Sequence, residues 1–313
     1  MIKVDYLNPL NSTKLISLDF YFKEMIELYN SKAFPKVLLL NGKKGIGKFT
    51  LIVHFLNYIF SKNEKTPYRL NDKVINVNSI FYNSLLNETT QDVFFIQAEE
   101  NKNIKIDDIR NLKSNLSRSS LSSNPRFTII DEVEFLNDSS VNALLKTLEE
   151  PSFNNYFILV NNQQADLIKT LSSRCLKNNI FLTQKQGKEV IDFLVENKNL
   201  ETLIETNDNL TPGLFIKFNE LFSKYNITKN DNIIIKLNKL LNNYKKDKNK
   251  FIISLTLFLI DLFFYKLVNE NEKKISYLLN IKFDITKNIN DLIKYNLNIS
   301  SVLNSIEVKL NNV

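Results

Sequence analysis

Glycine and lysine are spaced at Gly42-Lys43-Lys44-Gly45-Ile46-Gly47-Lys48 in the pattern G-x-x-x-x-G-K. Gly42, Gly45 and Gly47 would let backbone amides turn toward phosphate oxygens, and a helix starting behind them would add its positive end. Lys48 would then reach the β- and γ-phosphates of a nucleotide, which makes ATP with magnesium the implied cofactor. A Gly/Lys turn with no ligand has the same composition, but an apolar strand before it and a helix after it favour the phosphate loop. The next position should carry Ser or Thr, whose hydroxyl holds magnesium; here it is Phe49. Thr50 comes one residue late and is turned by about 100° around a helix. It stays with Gly42, Gly45, Gly47 and Lys48 as a candidate nucleotide ligand. Nucleotide binding tolerates this change; efficient hydrolysis is not expected.

Two acids end a second apolar run, Phe127-Thr128-Ile129-Ile130-Asp131-Glu132. In a phosphate-loop protein Asp131 would help hold magnesium and Glu132 would polarise the attacking water. Alone, the same string reads as a strand entering a surface turn. Asn161-Asn162 follows a further apolar run, and Asn162 is a candidate γ-phosphate sensor; a simple turn fits equally well. Arg174, in Ser172-Ser173-Arg174-Cys175, lies between an expected helix and an expected last strand, where an arginine is ordinarily solvated surface. His54 is the single histidine and Cys175 the single cysteine. A structural role suits His54 best, and neither a Cys-His nucleophile pair nor a zinc enzyme is attractive.

The elements that must position these residues are strands at Val37–Leu40, Val93–Ile96, Phe127–Ile130 and Tyr156–Val160, with a fifth at Ile180–Leu182. Helices are expected over Thr50–Phe60, from near Asp107, and from Asp138 as the cap, the last with the buried stripe Val141, Leu144, Leu145 and Leu148. Residues 61–90 are polar and irregular and read as an insertion or a mobile segment. Strands alternating with helices imply a parallel sheet covered on both faces. Short helices around Thr211-Pro212-Gly213 follow, then long apolar-periodic stretches from about Ile227 to the end. The division expected is a phosphate-loop domain over 1–183, a small helical lid over 184–226 and a helical domain over 227–313.

Bulk properties set limits. With 313 residues, 43% hydrophobic and 24% charged, the chain matches an ordinary globular protein of two or three domains. Phe251–Val268 is the most apolar stretch, but Asp261 and Lys266 interrupt it and it reads as a buried helix. Met1–Leu10 has no continuous apolar run, so no secretory signal is expected and a cytoplasmic location is the default. One cysteine excludes an internal disulfide framework and a multi-cysteine zinc site. The net charge of +7 permits contact with nucleic acid without establishing it.

Asp131-Glu132-Val133-Glu134-Phe135-Leu136, with Asn142-Ala143-Leu144-Leu145-Lys146-Thr147-Leu148-Glu149-Glu150-Pro151, resembles the bacterial clamp-loader branch of the AAA+ family. Thr170-Leu171-Ser172-Ser173-Arg174-Cys175 is similar to the S-R-C motif of that branch, and Ile106-Asp107-Asp108-Ile109-Arg110 to a further segment. The resemblance covers about residues 35–182 and is greatest to delta-prime-type subunits of DNA polymerase III. It implies an α/β P-loop AAA+ module, a parallel sheet between helices, followed by a helical lid and an all-helical collar used for oligomerisation. It implies a hetero-oligomer with gamma/tau-type motor subunits and a delta subunit, acting on the sliding clamp and primed DNA. It makes Arg174 an arginine finger acting in trans and Glu132 a vestigial base. Many relatives carry a four-cysteine zinc module after the first helix of the module; residues 61–92 contain no cysteine, so no zinc is expected. Thr211-Pro212-Gly213-Leu214-Phe215 resembles the second-sensor region but lacks its arginine. These departures favour a subunit that stimulates hydrolysis elsewhere. The alternative is an ATP-hydrolysing gamma/tau-type motor or another AAA+ ATPase, for which the intact Gly42–Lys48 and Asp131-Glu132 argue.

Overall fold

A computed structural model describes residues 8–97, 104–117, 124–152, 154–198, 202–204, 210–270 and 274–311. The described residues up to 198, with 210–216, form one compact unit; residues 202–204 and 217–311 form a second.

The first unit contains α1 (Asp19–Asn30), β1 (Val37–Asn41), α2 (Lys48–Phe60), α3 (Ile80–Leu86), β2 (Val93–Ile96) and α4 (Ile106–Ser117). It continues through β3 (Arg126–Ile130), α5 (Asp138–Glu149), β4 (Asn155–Asn161), α6 (Lys169–Ser172), β5 (Leu176–Asn179) and α7 (Gln184–Lys198). The five strands form one sheet in the order β2-β3-β4-β1-β5, and every pairing is parallel. Parallel strands need helical crossovers, and those helices cover both faces, so the central strands are buried and mostly apolar. Side chains alternate between the two faces. Leu38, Leu40, Phe127, Ile129, Ile158 and Val160 pack with Phe22 of α1 and Leu51, Phe55 and Leu56 of α2. Val37, Leu39, Ile130, Phe157 and Leu159 pack with Ile109 and Leu112 of α4 and Val141, Leu144 and Leu148 of α5.

Three expectations change. The fifth strand is Leu176–Asn179, not Ile180–Leu182. As an edge strand bonded only to β1 it is largely exposed and polar, so an apolar run does not mark it. Residues 61–90, expected to be irregular, include α3 and are tied down by side-chain bonds. Ser61 Oγ donates to Asn57 O at 2.6 Å and accepts from Tyr68 N, while Glu64 caps α3 through the amides of Ile80 and Phe81, both at 2.8 Å. The cap of α5 is Asn137, whose side chain accepts from Ser140 N at 2.8 Å; Asp138 is the first helical residue.

His54 is fully buried, with Nε2 2.9 Å from Ser12 O and Nδ1 2.8 Å from the Tyr68 hydroxyl. A carbonyl can only accept, so Nε2 carries the proton and Nδ1 accepts from the tyrosine. Burial holds the ring neutral, with its pKa lowered to about 4. This side chain pins the amino-terminal segment to the 61–79 segment, as a structural histidine would.

Helix α8 (Pro212–Lys224) opens with proline at its first position, where no amide is needed. The second unit adds α9 (Ile233–Asp247), α10 (Lys250–Glu270), α11 (Ile275–Tyr295) and α12 (Ile299–Asn311). Helix α10 is long and apolar enough to cross a membrane by length and composition. Its Ile253, Ile260 and Phe264 are instead buried against Leu237 and Leu241 of α9, Ile285 and Ile289 of α11 and Val302 and Ile306 of α12.

Candidate nucleotide site and a separate arginine

Parallel strands deliver their following loops to one end of a sheet, so the loops after β1, β3 and β4 converge. The loop after β1 is Gly42–Lys48. Gly45 and Gly47 take left-handed φ values of 84° and 94°, which only glycine adopts without strain. Lys48 opens α2 and is buried, its Nζ donating to Gly42 O at 2.7 Å and Lys43 O at 2.8 Å. Burial lowers its pKa to about 8, against the opposing pull of Asp131 and Glu134.

Asp131 and Glu132 follow β3. Burial, then repulsion from Glu132, raises the Asp131 pKa to about 6. Asp131 Oδ1 accepts from Asn162 Nδ2 at 3.0 Å and from Glu132 N at 2.8 Å. Asn162 therefore faces the phosphate loop's acid, and Asn161 is the last residue of β4 rather than part of a turn. Asn161 Nδ2 donates to Asn41 Oδ1 and Asn41 Nδ2 to Asn179 Oδ1, each at 2.8 Å. These amides tie together the ends of β4, β1 and β5 beside the loop.

Two residues of the site were not picked out in the sequence. Lys44 Nζ lies 2.5 Å from Glu132 Oε1 and 3.3 Å from Gln164 Oε1. Glu132 itself is left-handed, with φ 56°, an uncommon backbone for a residue with a side chain. Glu134 is buried and accepts the amide of Asn162 at 3.0 and 3.2 Å, which fixes the start of the loop after β4. Its signal was the third acid of Asp131-Glu132-Val133-Glu134. Lys44 had none, because any lysine in a glycine-rich loop looks solvated.

The donors fit nucleotide phosphates but not magnesium. Gly45, Gly47 and Lys48 would hold the phosphates, and a bound nucleotide would supply the bond to be hydrolysed. The place of the magnesium-binding hydroxyl is taken by Phe49, whose half-buried ring lies 5.4 Å from that of Phe95 on β2. Thr50 is half-buried in the first turn of α2, and no described bond of Lys48, Asp131, Glu132 or Asn162 reaches it. The start of α8 also closes on the loop. Thr211 Oγ1 donates to Lys44 O at 2.7 Å and Gly213 N to Gly45 O at 2.8 Å.

Arg174 stands apart from these residues. β5 runs parallel to β1 with Leu176 opposite Leu38 and Asn179 opposite Asn41. Arg174 lies in the turn between α6 and β5, before β5 begins, and so toward the end of the sheet where β1 starts, whereas Gly42 follows the end of β1. Parallel strands put the loops that precede them and the loops that follow them at opposite ends of the sheet, so Arg174 and Gly42–Lys48 lie at opposite ends. Arg174 Nε donates to Glu149 Oε1 at 2.6 Å and Nη1 to Thr170 O at 2.9 Å.

The parallel sheet, with Gly42–Lys48, Asp131-Glu132 and Asn162 gathered at one end of it, has the arrangement of a P-loop α/β module. The family model described as DNA polymerase III, delta subunit, matches residues 19–182, just over half of the chain, and the chain belongs to that family. Among curated relatives, the DNA polymerase III subunit delta' of Buchnera aphidicola (from Schizaphis graminum) is 26% identical over 67% of this chain and 60% of its own length. The gamma subunit from the same organism is 29% identical over 59% of this chain and 48% of its own. The matches thus span less than two thirds of these relatives. A solved gamma subunit-related protein of Thermotoga maritima is 20% identical, covers 93% of this chain and 97% of its own, and superposes with a TM-score of 0.48.

Proposed function

We propose that this chain is a delta-prime-type subunit of a DNA polymerase III clamp loader, acting in the cytoplasm to help place the sliding clamp on primed DNA. Its partners in this reading are gamma/tau-type motor subunits and a delta subunit. Residues 1–183 are the AAA+ module, 184–226 the lid and 227–313 the collar that joins the ring. Arg174 is the catalytic group, inserted toward ATP on a neighbouring motor subunit, where its charge offsets that developing on the transferred phosphoryl oxygens.

The observation that carries this reading is the placement of Arg174. A guanidinium at the end of the sheet opposite its own phosphate loop, bonded to Glu149 and Thr170, is not placed to serve that loop, but it is exposed where a neighbour's nucleotide could meet it. Phe49 supports the complementary half, because a site without its magnesium hydroxyl is a poor place for hydrolysis. The alternative, a motor with its own turnover, is favoured by Lys48 and by the Asn162–Asp131 pair.

The test is ATP turnover. The isolated chain is expected to hydrolyse ATP slowly or not at all. In a complex rebuilt with its motor subunits, Arg174→Ala is expected to lower clamp- and DNA-stimulated turnover by about 10³-fold at a site that depends on the finger. Robust turnover by the isolated chain that Lys48→Ala abolishes would favour the motor. Unchanged turnover by the Arg174→Ala complex would remove the finger.

A further inference from the structure

We infer that Glu149 is a positioning residue for Arg174, holding the guanidinium so that its tip is offered to the neighbouring subunit. The inference rests on the finger reading above and adds the residue that aims the finger.

Glu149 is the last residue of α5, followed by Glu150 and then Pro151, which cannot continue the helix. A carboxylate there lies against the negative end of the helix dipole, an unfavourable place for an acid. Arg174 compensates it, with Nε 2.6 Å from Glu149 Oε1. The two side chains are 36% and 46% exposed, so the pair contributes little to stability. Its effect is geometric. The guanidinium is a planar fork on a long, flexible stem. With Nε bound to Glu149 and Nη1 bound to Thr170 O, donors on two different sides of the fork are committed, which sets its plane and leaves Nη2 to offer. The base of the fork is fixed as well, since Arg174 N donates to Leu171 O at 3.2 Å and Leu171 is fully buried. A finger held in this way meets phosphate without first searching its rotamers.

The experiment uses the rebuilt complex with Glu149→Ala, Glu149→Gln, Arg174→Ala and the double variant Glu149→Ala/Arg174→Ala. Glu149→Ala is expected to lower maximal clamp- and DNA-stimulated ATP turnover by about tenfold while leaving the KM for ATP unchanged. Glu149→Gln keeps an acceptor oxygen at the same reach and is expected to restore most of that loss. The double variant is expected to match Arg174→Ala alone. A Glu149→Ala complex with wild-type or raised turnover, beside a deficient Arg174→Ala complex, overturns the inference and leaves the finger standing. An unimpaired Arg174→Ala complex overturns the finger itself. A second measurement does not depend on assembly. In the isolated chain the Arg174 Nε–H resonance, assigned by its loss in Arg174→Lys, is expected to be protected from exchange with water and to lose that protection in Glu149→Ala. Unchanged protection would equally overturn the inference.

Discussion

Asn162 at the end of β4 reaches across to Asp131 at the end of β3, its Nδ2 donating to Oδ1 at 3.0 Å. That bond, with the Glu132 amide on the same oxygen, favours the charged acid, yet burial outweighs both and the Asp131 pKa stands at about 6. A folded-state pKa raised above the unfolded value of 3.8 gives stability that is fully present below pH 3.8 and is lost as pH rises through 6. Asp131→Asn, which keeps the acceptor oxygen, should therefore stabilise the chain at pH 8 by on the order of 2–3 kcal/mol and have little effect near pH 3.5. Thermal unfolding of the two proteins across this range checks it; equal stability at pH 8 would contradict the burial argument.

His54 gives the opposite pH dependence. Its folded pKa, lowered to about 4 from 6.5, contributes stability that is present above pH 6.5 and lost as pH falls toward 4. Wild type should lose about 3 kcal/mol over that window from this residue, a loss missing in His54→Gln. The difference between the two proteins isolates it from the rise due to Asp131. His54→Ala should also cost about 2–4 kcal/mol at pH 7.5, since Ser12 O and the Tyr68 hydroxyl lose their shared partner. Urea unfolding measures both.

Gly213 and Gly45 meet backbone to backbone. A β-carbon on Gly213 would sit 2.7 Å from Gly45 Cα, with no flexible side chain between them to yield. Gly213→Ala is expected to destabilise the first unit by about 1–3 kcal/mol. Hydrogen exchange should speed up at the amides of residues 43–47 while staying unchanged in α10. Unchanged protection in the loop would mean that α8 does not brace it.

Phe49→Thr would place a hydroxyl where magnesium is ordinarily held and remove a ring tilted against that of Phe95. The ring pair should be missed by about 1 kcal/mol in unfolding measurements. Titration with a fluorescent ATP analogue should reveal magnesium-dependent affinity in the variant and none in wild type. Equal magnesium dependence in both would show that Phe49 does not block the ion.

Much of the phosphate site was legible because its signals are local. Gly42–Lys48, the apolar runs of β1 and β3, and the acids at Asp131-Glu132 can each be read from a few consecutive residues. Asn162 was legible only as an even choice, since its partner lies 31 residues away in sequence. Strand β5 was misplaced because an edge strand need not be apolar, and the apolar Ile180 that follows it is buried in the core with residues of α1 and α2. The order in residues 61–79 was hidden for a similar reason. It comes from bonds such as His54 to Tyr68 and Glu64 to Ile80, which depend on side chains meeting after the chain has folded. The ion pair of Lys44 with Glu132 spans 88 residues and left no trace in spacing.

The glycines of the phosphate loop have one more consequence, for how such a motif is inherited. Any side chain on Gly42 would collide with the carbonyl of Ile180, and one on Gly45 would meet Thr211 Oγ1 at 2.6 Å. Neither collision involves a nucleotide. Selection for a folded chain is therefore enough to keep these positions as glycine after any advantage from ATP has gone. The signature can persist in a lineage as a fossil held in place by its neighbours, and its survival in a descendant dates the architecture rather than the activity.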